Sequence, residues 1–407
     1  MLLTHISLTD YRNFSRLDTP TEPGTTLLVG SNAQGKTSFL EAIYFLATFS
    51  AFTTSDVRQV VNFIAGREKL AVTRIVGTYQ RAGREHRMEV RLILENNGIP
   101  GSTKRLRREV LLDGVKRKVG DMLGHFNAVL FLPQMLQIVE GSPEARRRYL
   151  DMTLSQVIPH YPQALNRYRK ALTQRNALLK QLAERGGDPA QLTFWDTQLA
   201  ENGAFIVHAR IHAIHELEKL ASDVHHDLSR GEEVLRLAYQ PSSEPLPENP
   251  NQYALPLDAP LKRTHLTLEE IQSRLQQRLR EHWREDIARG VTTRGPHRDD
   301  LLFFANGIHL GHYGSRGQVR TAMLSLKLAE VAWMKQKTGE WPVLLLDEML
   351  AELDPQRRAD LLQRLMQSEQ VFATTTDIAL FPDTFRQQVH LWHVHAGVVH
   401  TDYAPSI

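Results

Sequence analysis

The spacing of apolar positions changes twice along the chain. Near the N-terminus Leu3, Ile6 and Leu8 alternate loosely with polar residues, a strand pattern that ends around Asp10-Tyr11-Arg12-Asn13-Phe14. Pro20, Pro23 and Gly24 mark a turn, and Thr25-Thr26-Leu27-Leu28-Val29 has the β-branched, apolar character of a buried strand. A glycine-bounded loop follows, and then residues 37–48 read as a helix. Residues 70–118 read as strands and hairpins, with Asn97-Gly98 and Asp113-Gly114 as turn signals. From Pro143 onward apolar residues recur at spacings of three and four. Two such stretches, 163–185 and 191–228, flank Gly186-Gly187-Asp188-Pro189, which predicts an αα-hairpin. Six prolines between positions 241 and 260 leave no room for a helix. Thr267-Leu268-Glu269-Glu270 has capping-box form and predicts one helix reaching Arg289, with Gly290 as its stop. Another helix follows Gly317, then a short apolar strand Val343-Leu344-Leu345-Leu346, and a final strand over 371–377.

The pattern predicts an α/β core assembled from both chain ends, residues 1–135 and 291–407, with a mainly helical lobe over 136–290 inserted between them. A length of 407 residues suits two or three lobes. With 42 % apolar and 23 % charged residues, the composition is that of a soluble globular protein and excludes a disordered chain or a rod. No apolar run approaches the roughly 20 residues of a membrane span. The first residues lack a secretory pattern. Cysteine is absent, which excludes disulfide frameworks, thiolate zinc sites and cysteine nucleophiles. A cytoplasmic protein with no membrane partner is the expectation.

Overall charge is +3, yet residues 67–118 carry 14 Lys/Arg against 6 Asp/Glu. The densest clusters are Lys104-Arg105-Leu106-Arg107-Arg108 and Lys116-Arg117-Lys118. Such a stretch suits a polyanion surface or the solvated face of a hairpin, and charge alone leaves both open.

Gly30-Ser31-Asn32-Ala33-Gln34-Gly35-Lys36-Thr37 matches G-x-x-x-x-G-K-[ST] between a predicted strand and a predicted helix. The glycines let successive backbone N–H groups curl around phosphate oxygens at a helix N-terminus. Lys36 would meet the β- and γ-phosphates of ATP, and Thr37 would give its hydroxyl to Mg²⁺. The strand Leu344-Leu345-Leu346 ends in Asp347-Glu348. Asp347 suits the Mg²⁺ shell, and Glu348 suits a general base for the attacking water. Between these motifs lies Gly314-Ser315-Arg316-Gly317-Gln318 at a helix start. Ser315, the Gly317 N–H and Gln318 would make a second anion site. ABC-type ATPases use such a site against the γ-phosphate bound by another head. One P-loop and one such loop per chain therefore require a head-to-tail pair with two shared ATP sites. Asp354, in Glu352-Leu353-Asp354-Pro355, would cross that interface. Thr375, within Thr374-Thr375-Thr376-Asp377, would stand near the γ-phosphate as a switch where many ABC heads have histidine.

Together these segments resemble the RecF family of ABC-type ATPases, relatives of SMC heads. The resemblance runs essentially end to end and also rests on Asp10-Tyr11-Arg12-Asn13-Phe14, Leu40-Glu41-Ala42-Ile43-Tyr44, Gly141-Ser142-Pro143-Glu144-Ala145-Arg146-Arg147-Arg148 and Arg294-Gly295-Pro296-His297-Arg298-Asp299-Asp300. The short insertion, with no long heptad run, disfavours the SMC branch. The resemblance implies a slow, DNA-stimulated ATP hydrolase of the bacterial cytoplasm that binds DNA at duplex and single-strand junctions and dimerises on ATP. It further implies RecO and RecR as partners in loading RecA at gapped DNA, with a link to the SOS response. Arg12 would reach the nucleotide. Gln134 stands in Pro133-Gln134-Met135-Leu136 where the family often has Pro-Glu-Asp-Leu, and would be a Q-loop ligand to Mg²⁺ or water. Lys104, Arg105, Arg107 and Arg108 are the preferred DNA contacts. Consecutive Arg146, Arg147 and Arg148 cannot share one helix face. His297, with no second histidine at helical spacing, reads as a satisfied loop residue. A small-molecule kinase and a non-hydrolysing ATP-binding scaffold are the alternatives. The kinase would need neither the Ser315 loop nor a shared site, and Glu348 argues against the scaffold.

Overall fold

The computed structural model describes residues 1–95, 104–244 and 263–401. The Asn97-Gly98 turn and the prolines from 245 to 260 lie outside the described residues. Strands in chain order are β1 (Leu2–Tyr11), β2 (Phe14–Pro20), β3 (Gly24–Val29), β4 (Leu70–Arg81), β5 (Arg84–Glu95), β6 (Arg105–Leu112), β7 (Val115–Arg117) and β8 (Ala128–Phe131). Then come β9 (Leu235–Gln240), β10 (Asp300–Ala305) and β11 (Ile308–His309), followed by β12 (Val343–Asp347), β13 (Gln370–Thr375), β14 (His390–His395) and β15 (Val398–Thr401). The chain forms two compact units, Met1–Gln134 with Met334–Ile407, and Met135–Trp333.

The first unit contains two six-stranded sheets. One is antiparallel, in the order β2-β1-β4-β5-β6-β7. Its β6–β7 turn uses Asp113 (φ 51) and Gly114 (φ 79), the two left-handed positions of a tight hairpin. The other is ordered β15-β14-β3-β13-β12-β8, and all its pairings are parallel except β14–β15. Four of its strands, β3, β13, β12 and β8, are buried along nearly their whole length, as parallel strands must be when layers cover both sides. The helix Lys36–Thr48 is accordingly buried almost all round, with Phe39 edge-on to Phe372 at 5.7 Å and to Trp392 at 5.6 Å. The register sets Val29 against Thr375 and Asp347 against Thr374. The loop after β3 and the carboxylates after β12 therefore emerge at one sheet edge, where ligands of open α/β sheets bind. The strand foreseen over 371–377 is β13, but it is not the last. β14 and β15 follow it, and their mixed His, Trp and Val pattern gives no clean period.

The second unit is led by the long helices Tyr161–Arg185 and Thr193–Leu228. Its core holds Arg175, fully buried between Asp196 (2.7 Å) and Asp286 (2.6 Å), a charge that survives burial because it is paired. Thr267 and Glu270 make both bonds of the capping box. The single helix expected to reach Arg289 is two, Leu268–Glu281 and Trp283–Arg289, broken at His282, whose φ of −97° and ψ of 6° leave the helical region. Gly290 ends the second in the left-handed conformation. A three-stranded sheet, β11-β10-β9, also belongs to this unit. β10 pairs with β9 along its whole length, and the Asp299 carboxylate accepts from Ser242 N at 2.8 Å beside Arg210 at 3.5 Å. Residues 291–333 thus fold with the insertion, which is helical with a small sheet. Here Arg146 grips Asp300 through two bonds (2.6 and 2.8 Å), Arg147 donates to Asp299 O and Arg148 is exposed. His297 bonds Tyr168 Oη (2.7 Å) and Thr292 O (3.1 Å), and burial pushes its pKa down to about 4.

Candidate nucleotide site and the Ser315 loop

The phosphate-loop residues Gly30 to Thr37 join β3 to the helix Lys36–Thr48. Two glycines are sterically required. A Cβ on Gly30 would lie 2.4 Å from Val394 O, and one on Gly35 (φ 120°) would lie 2.6 Å from Asn13 Nδ2. Asn13 Nδ2 in turn holds Gln34 O at 2.9 Å. Lys36, 4 % exposed, points back along its own loop. Its ammonium donates to Gly30 O (2.6 Å) and Ser31 O (3.0 Å) and lies 3.4 Å from Glu348 Oε1. An open cavity of about 810 Å³ lies in front of the loop, lined by Asn32, Ala33, Lys36 and Thr37 on one side and by Asp347 and Glu348 at its end.

Thr37 Oγ1 is 2.9 Å from both oxygens of Asp347, and Thr374 Oγ1 donates to the same carboxylate at 2.8 Å. Thr374 also accepts from Glu348 N at 3.0 Å. Burial, followed by the neighbouring Glu348 charge, raises the pKa of Asp347 against the lowering effect of the two threonine bonds and Lys36. Glu348 sits at φ 50°, ψ 13°, a left-handed conformation that is uncommon for a non-glycine residue, and its side chain is 41 % exposed beside Lys36. A hydroxyl and a carboxylate converging within 2.9 Å are hard oxygen donors and fit Mg²⁺, which takes few protein ligands when phosphates supply the rest. Among the described residues no group of three or more His, Cys, Asp or Glu could hold a metal unaided.

Arg12 reaches the cavity wall with its guanidinium engaged. It donates to Glu41 at 2.7 and 3.1 Å, to Gln59 O at 2.9 Å, and to Thr53. Burial works to raise the pKa of Glu41, but the Arg12 and Thr53 bonds outweigh it and leave it lowered. Gln134 is exposed in a short turn after β8 and is not among the residues lining the cavity. Thr375 closes a turn with Asp377 (2.9 Å), so Thr374 rather than Thr375 is the hydroxyl at the carboxylates. Asp354 caps the helix Pro355–Leu365, accepting from Arg357 N at 3.0 Å. Phe63 and Ile64 also line the cavity, 73 % and 75 % exposed, with the Arg67 guanidinium 4.4 Å from the Phe63 ring centroid. Sequence reasoning did not single them out, since two apolar residues in an irregular loop carry no periodic signal.

In the second unit, Ser315 precedes the helix Arg316–Thr338. Its hydroxyl accepts from Gln318 N (3.2 Å), and its N–H donates to Gln318 Oε1 (2.9 Å). This reciprocal pair is a capping box that orders the loop.

A family model described as the RecF/RecN/SMC N terminal domain matches residues 2–400. The chain belongs to the RecF family. It is 42 % identical to the DNA replication and repair protein RecF of Roseiflexus castenholzii, over 98 % of this chain and 99 % of that one. Identity to the RecF of Chloroflexus aurantiacus is 39 %, with the same coverage. Among solved structures, the recombination mediator protein RecF with ATP, described as part of the RecFOR pathway, matches with a TM-score of 0.83 at 30 % identity, over 98 % of this chain and 97 % of that one. An SMC head bound to a ScpA winged-helix domain, 14 % identical with a TM-score of 0.51, shares the fold. The architecture is that of an ABC-type ATPase head.

In this member of the RecF family the basic strand β6 divides its cations between two faces. Arg105 and Arg107 are exposed. Arg108 points inward, donating to Phe49 O at 2.8 Å with its guanidinium 5.4 Å from the Phe45 ring centroid, and burial lowers its pKa. Lys104 donates to Gly66 O at 2.7 Å. Glu109 meets Lys116 at 2.8 Å and Arg107 at 3.6 Å, so part of the local excess is compensated. No helix among the described residues is long and apolar enough to cross a membrane.

Proposed function

We propose that this RecF-family protein is an ATP-driven molecular switch on DNA, acting in replication and in the repair of gapped DNA in the bacterial cytoplasm. The observation that carries this reading is the convergence, in one cavity, of the Lys36 ammonium, the Thr37 hydroxyl, Asp347 and Glu348. The ATP triphosphate lies along Gly30–Thr37, where loop N–H groups and the helix N-terminus face it and Lys36 leaves its own carbonyls for the β- and γ-oxygens. Thr37 and Asp347 would hold Mg²⁺, which would supply charge neutralisation on the phosphates. Phe63 and Ile64 give the adenine an apolar seat, and Arg12 stands at the rim. Glu348, exposed and beside Lys36, takes the proton of the attacking water. Ser315, Gly317 and Gln318 of one chain complete the site of a second chain, with Asp354 crossing the interface, so ATP favours the dimer and hydrolysis releases it. Thr374 is the proposed sensor of the γ-phosphate, in place of Thr375. DNA meets the exposed arginines of β6, and RecO and RecR are the partners that family membership suggests for loading RecA.

The test is phosphate release with and without DNA, in the parent and in Glu348→Gln. The amide keeps the shape and cannot take a proton, so ATP binding survives while turnover falls by about 10²–10⁴. Parental turnover in that variant would assign water activation elsewhere.

A further inference from the structure

A line of hydrogen bonds in the second unit runs from the Ser315 loop to a buried histidine and back. Gln318 Nε2 donates to Glu233 Oε1 at 2.7 Å. Glu233 Oε2 is 3.0 Å from His225 Nε2, and His225 Nδ1 is 3.2 Å from Ser325 Oγ. Ser325 gives its own proton to Thr321 O at 2.7 Å, and Thr321 Oγ1 donates to Gly317 O at 2.9 Å. The line therefore leaves the loop at Gln318 and returns to it at Gly317.

Donors and acceptors around the Glu233 carboxylate admit one arrangement. A carboxylate only accepts, so Gln318 must turn its nitrogen toward Glu233. Its oxygen then faces Ser315 N, where the capping bond is 2.9 Å. An amide flipped by half a turn would set its NH₂ against the Ser315 N–H and an oxygen against the carboxylate. His225 Nε2 faces the same acceptor-only group and must carry a proton. Its Nδ1 lies 3.2 Å from the Ser325 hydroxyl, a group that can donate or accept. The ring is 0 % exposed and holds the Glu233 carboxylate through the Nε2 bond. Removing one partner of such a bond leaves the other group without it.

We propose that Glu233 and His225 are positioning residues of the Ser315 loop. Glu233 fixes the Gln318 amide in the orientation that caps Ser315, and the His225 Nε2–H fixes Glu233. The proposal rests on the reading that Ser315 completes the ATP site of a partner chain. Glu233 and His225 act through Gln318 and are not catalytic residues.

Two substitutions of similar volume test it. Glu233→Leu removes both acceptors. Glu233→Gln keeps an oxygen for Gln318 and offers its NH₂ to His225 Nε2, which accepts once the ring is the neutral Nδ1–H tautomer. In Glu233→Leu, ATP-driven dimerisation and turnover should fall about tenfold, the size of one missing hydrogen bond to a charged group. The affinity of the chain for ATP, measured in the same preparation, should stay within about twofold. Glu233→Gln should restore both dimerisation and turnover. A protonation readout in the parent stands whether or not the leucine variant folds. Nitrogen NMR of the His225 ring at neutral pH should show Nε2 protonated in the parent and unprotonated in Glu233→Gln. A leucine variant that dimerises and turns over as the parent does, or an unprotonated His225 Nε2 in the parent, overturns the proposal. The underlying reading fails on a different result, a Ser315→Arg chain that still dimerises normally with ATP.

Discussion

Asp347 carries a cost that its proposed role as a Mg²⁺ ligand explains. Burial, then the Glu348 charge, raises its pKa, so the ionised form is the disfavoured one in the fold. For a raised carboxyl, the penalty is fully present above the folded pKa and disappears as pH falls toward the unfolded value. Asp347→Asn should therefore melt at a higher temperature than the parent at neutral pH, with the gain shrinking in acid, while Mg²⁺-dependent turnover is abolished. Melting curves at neutral and acidic pH check the sign, and a variant less stable at neutral pH would contradict it. Glu41 behaves oppositely. Its Arg12 and Thr53 bonds lower its pKa against burial, so its contribution is present above the ordinary carboxylate range and lost as pH falls through its folded value. At the other end of the cavity, Phe63 and Ile64 are large apolar side chains left exposed, which is the informative kind of exposure when both face a cavity. Phe63→Ala should weaken ATP binding by about 10-fold, since an aromatic pair is worth up to ~1.5 kcal/mol. It should leave inorganic tripolyphosphate, which has no base, unaffected. Equal weakening for both ligands in a calorimetric titration would place the base elsewhere.

The period-two pleat of β6 decides which part of the basic stretch is open to the proposed DNA contact. Arg105 and Arg107 share the exposed face, while Arg108 braces the helix Lys36–Thr48 and the loop after it through Phe45 and Phe49. Arg105→Glu with Arg107→Glu should weaken all DNA sequences alike and lower the salt slope by about 0.9 for each duplex phosphate that is no longer neutralised. Arg108→Ala should leave DNA binding in place and lower stability by ~1.5–3 kcal/mol, the range for a hydrogen bond from a charged group. An unchanged DNA affinity and salt slope after the double reversal would move the DNA surface off β6. Elements with one dominant local cause were legible in the sequence. The phosphate loop announces itself by glycine spacing, β12 by an unbroken apolar run, and the helix from Leu268 by its capping box. Elements defined by distant partners were not. β14 is a strand because β3 offers it an edge, and β9 and β10 are strands because they pair with each other. The helix break at His282 carries neither glycine nor proline to mark it. Within the site, Thr374 and Thr375 are indistinguishable in sequence, and only the register against Asp347 separates them.

At the scale of the molecule, each chain carries one phosphate loop and one Ser315 loop, in different compact units. In the proposed dimer the two act across chains. Lys36→Met removes the ammonium that holds the phosphates, and Ser315→Arg sets a long cation where a small hydroxyl is needed, so each variant alone should lack ATP turnover. In a mixed dimer, one shared site collects both defects and the other collects none. Turnover of the mixture, followed by phosphate release with light scattering to report the dimer, is the most direct test. Activity that appears on mixing, above the sum of the two separate variants, is the predicted result. A mixture no more active than that sum, with the mixed dimer formed, would contradict the composite site.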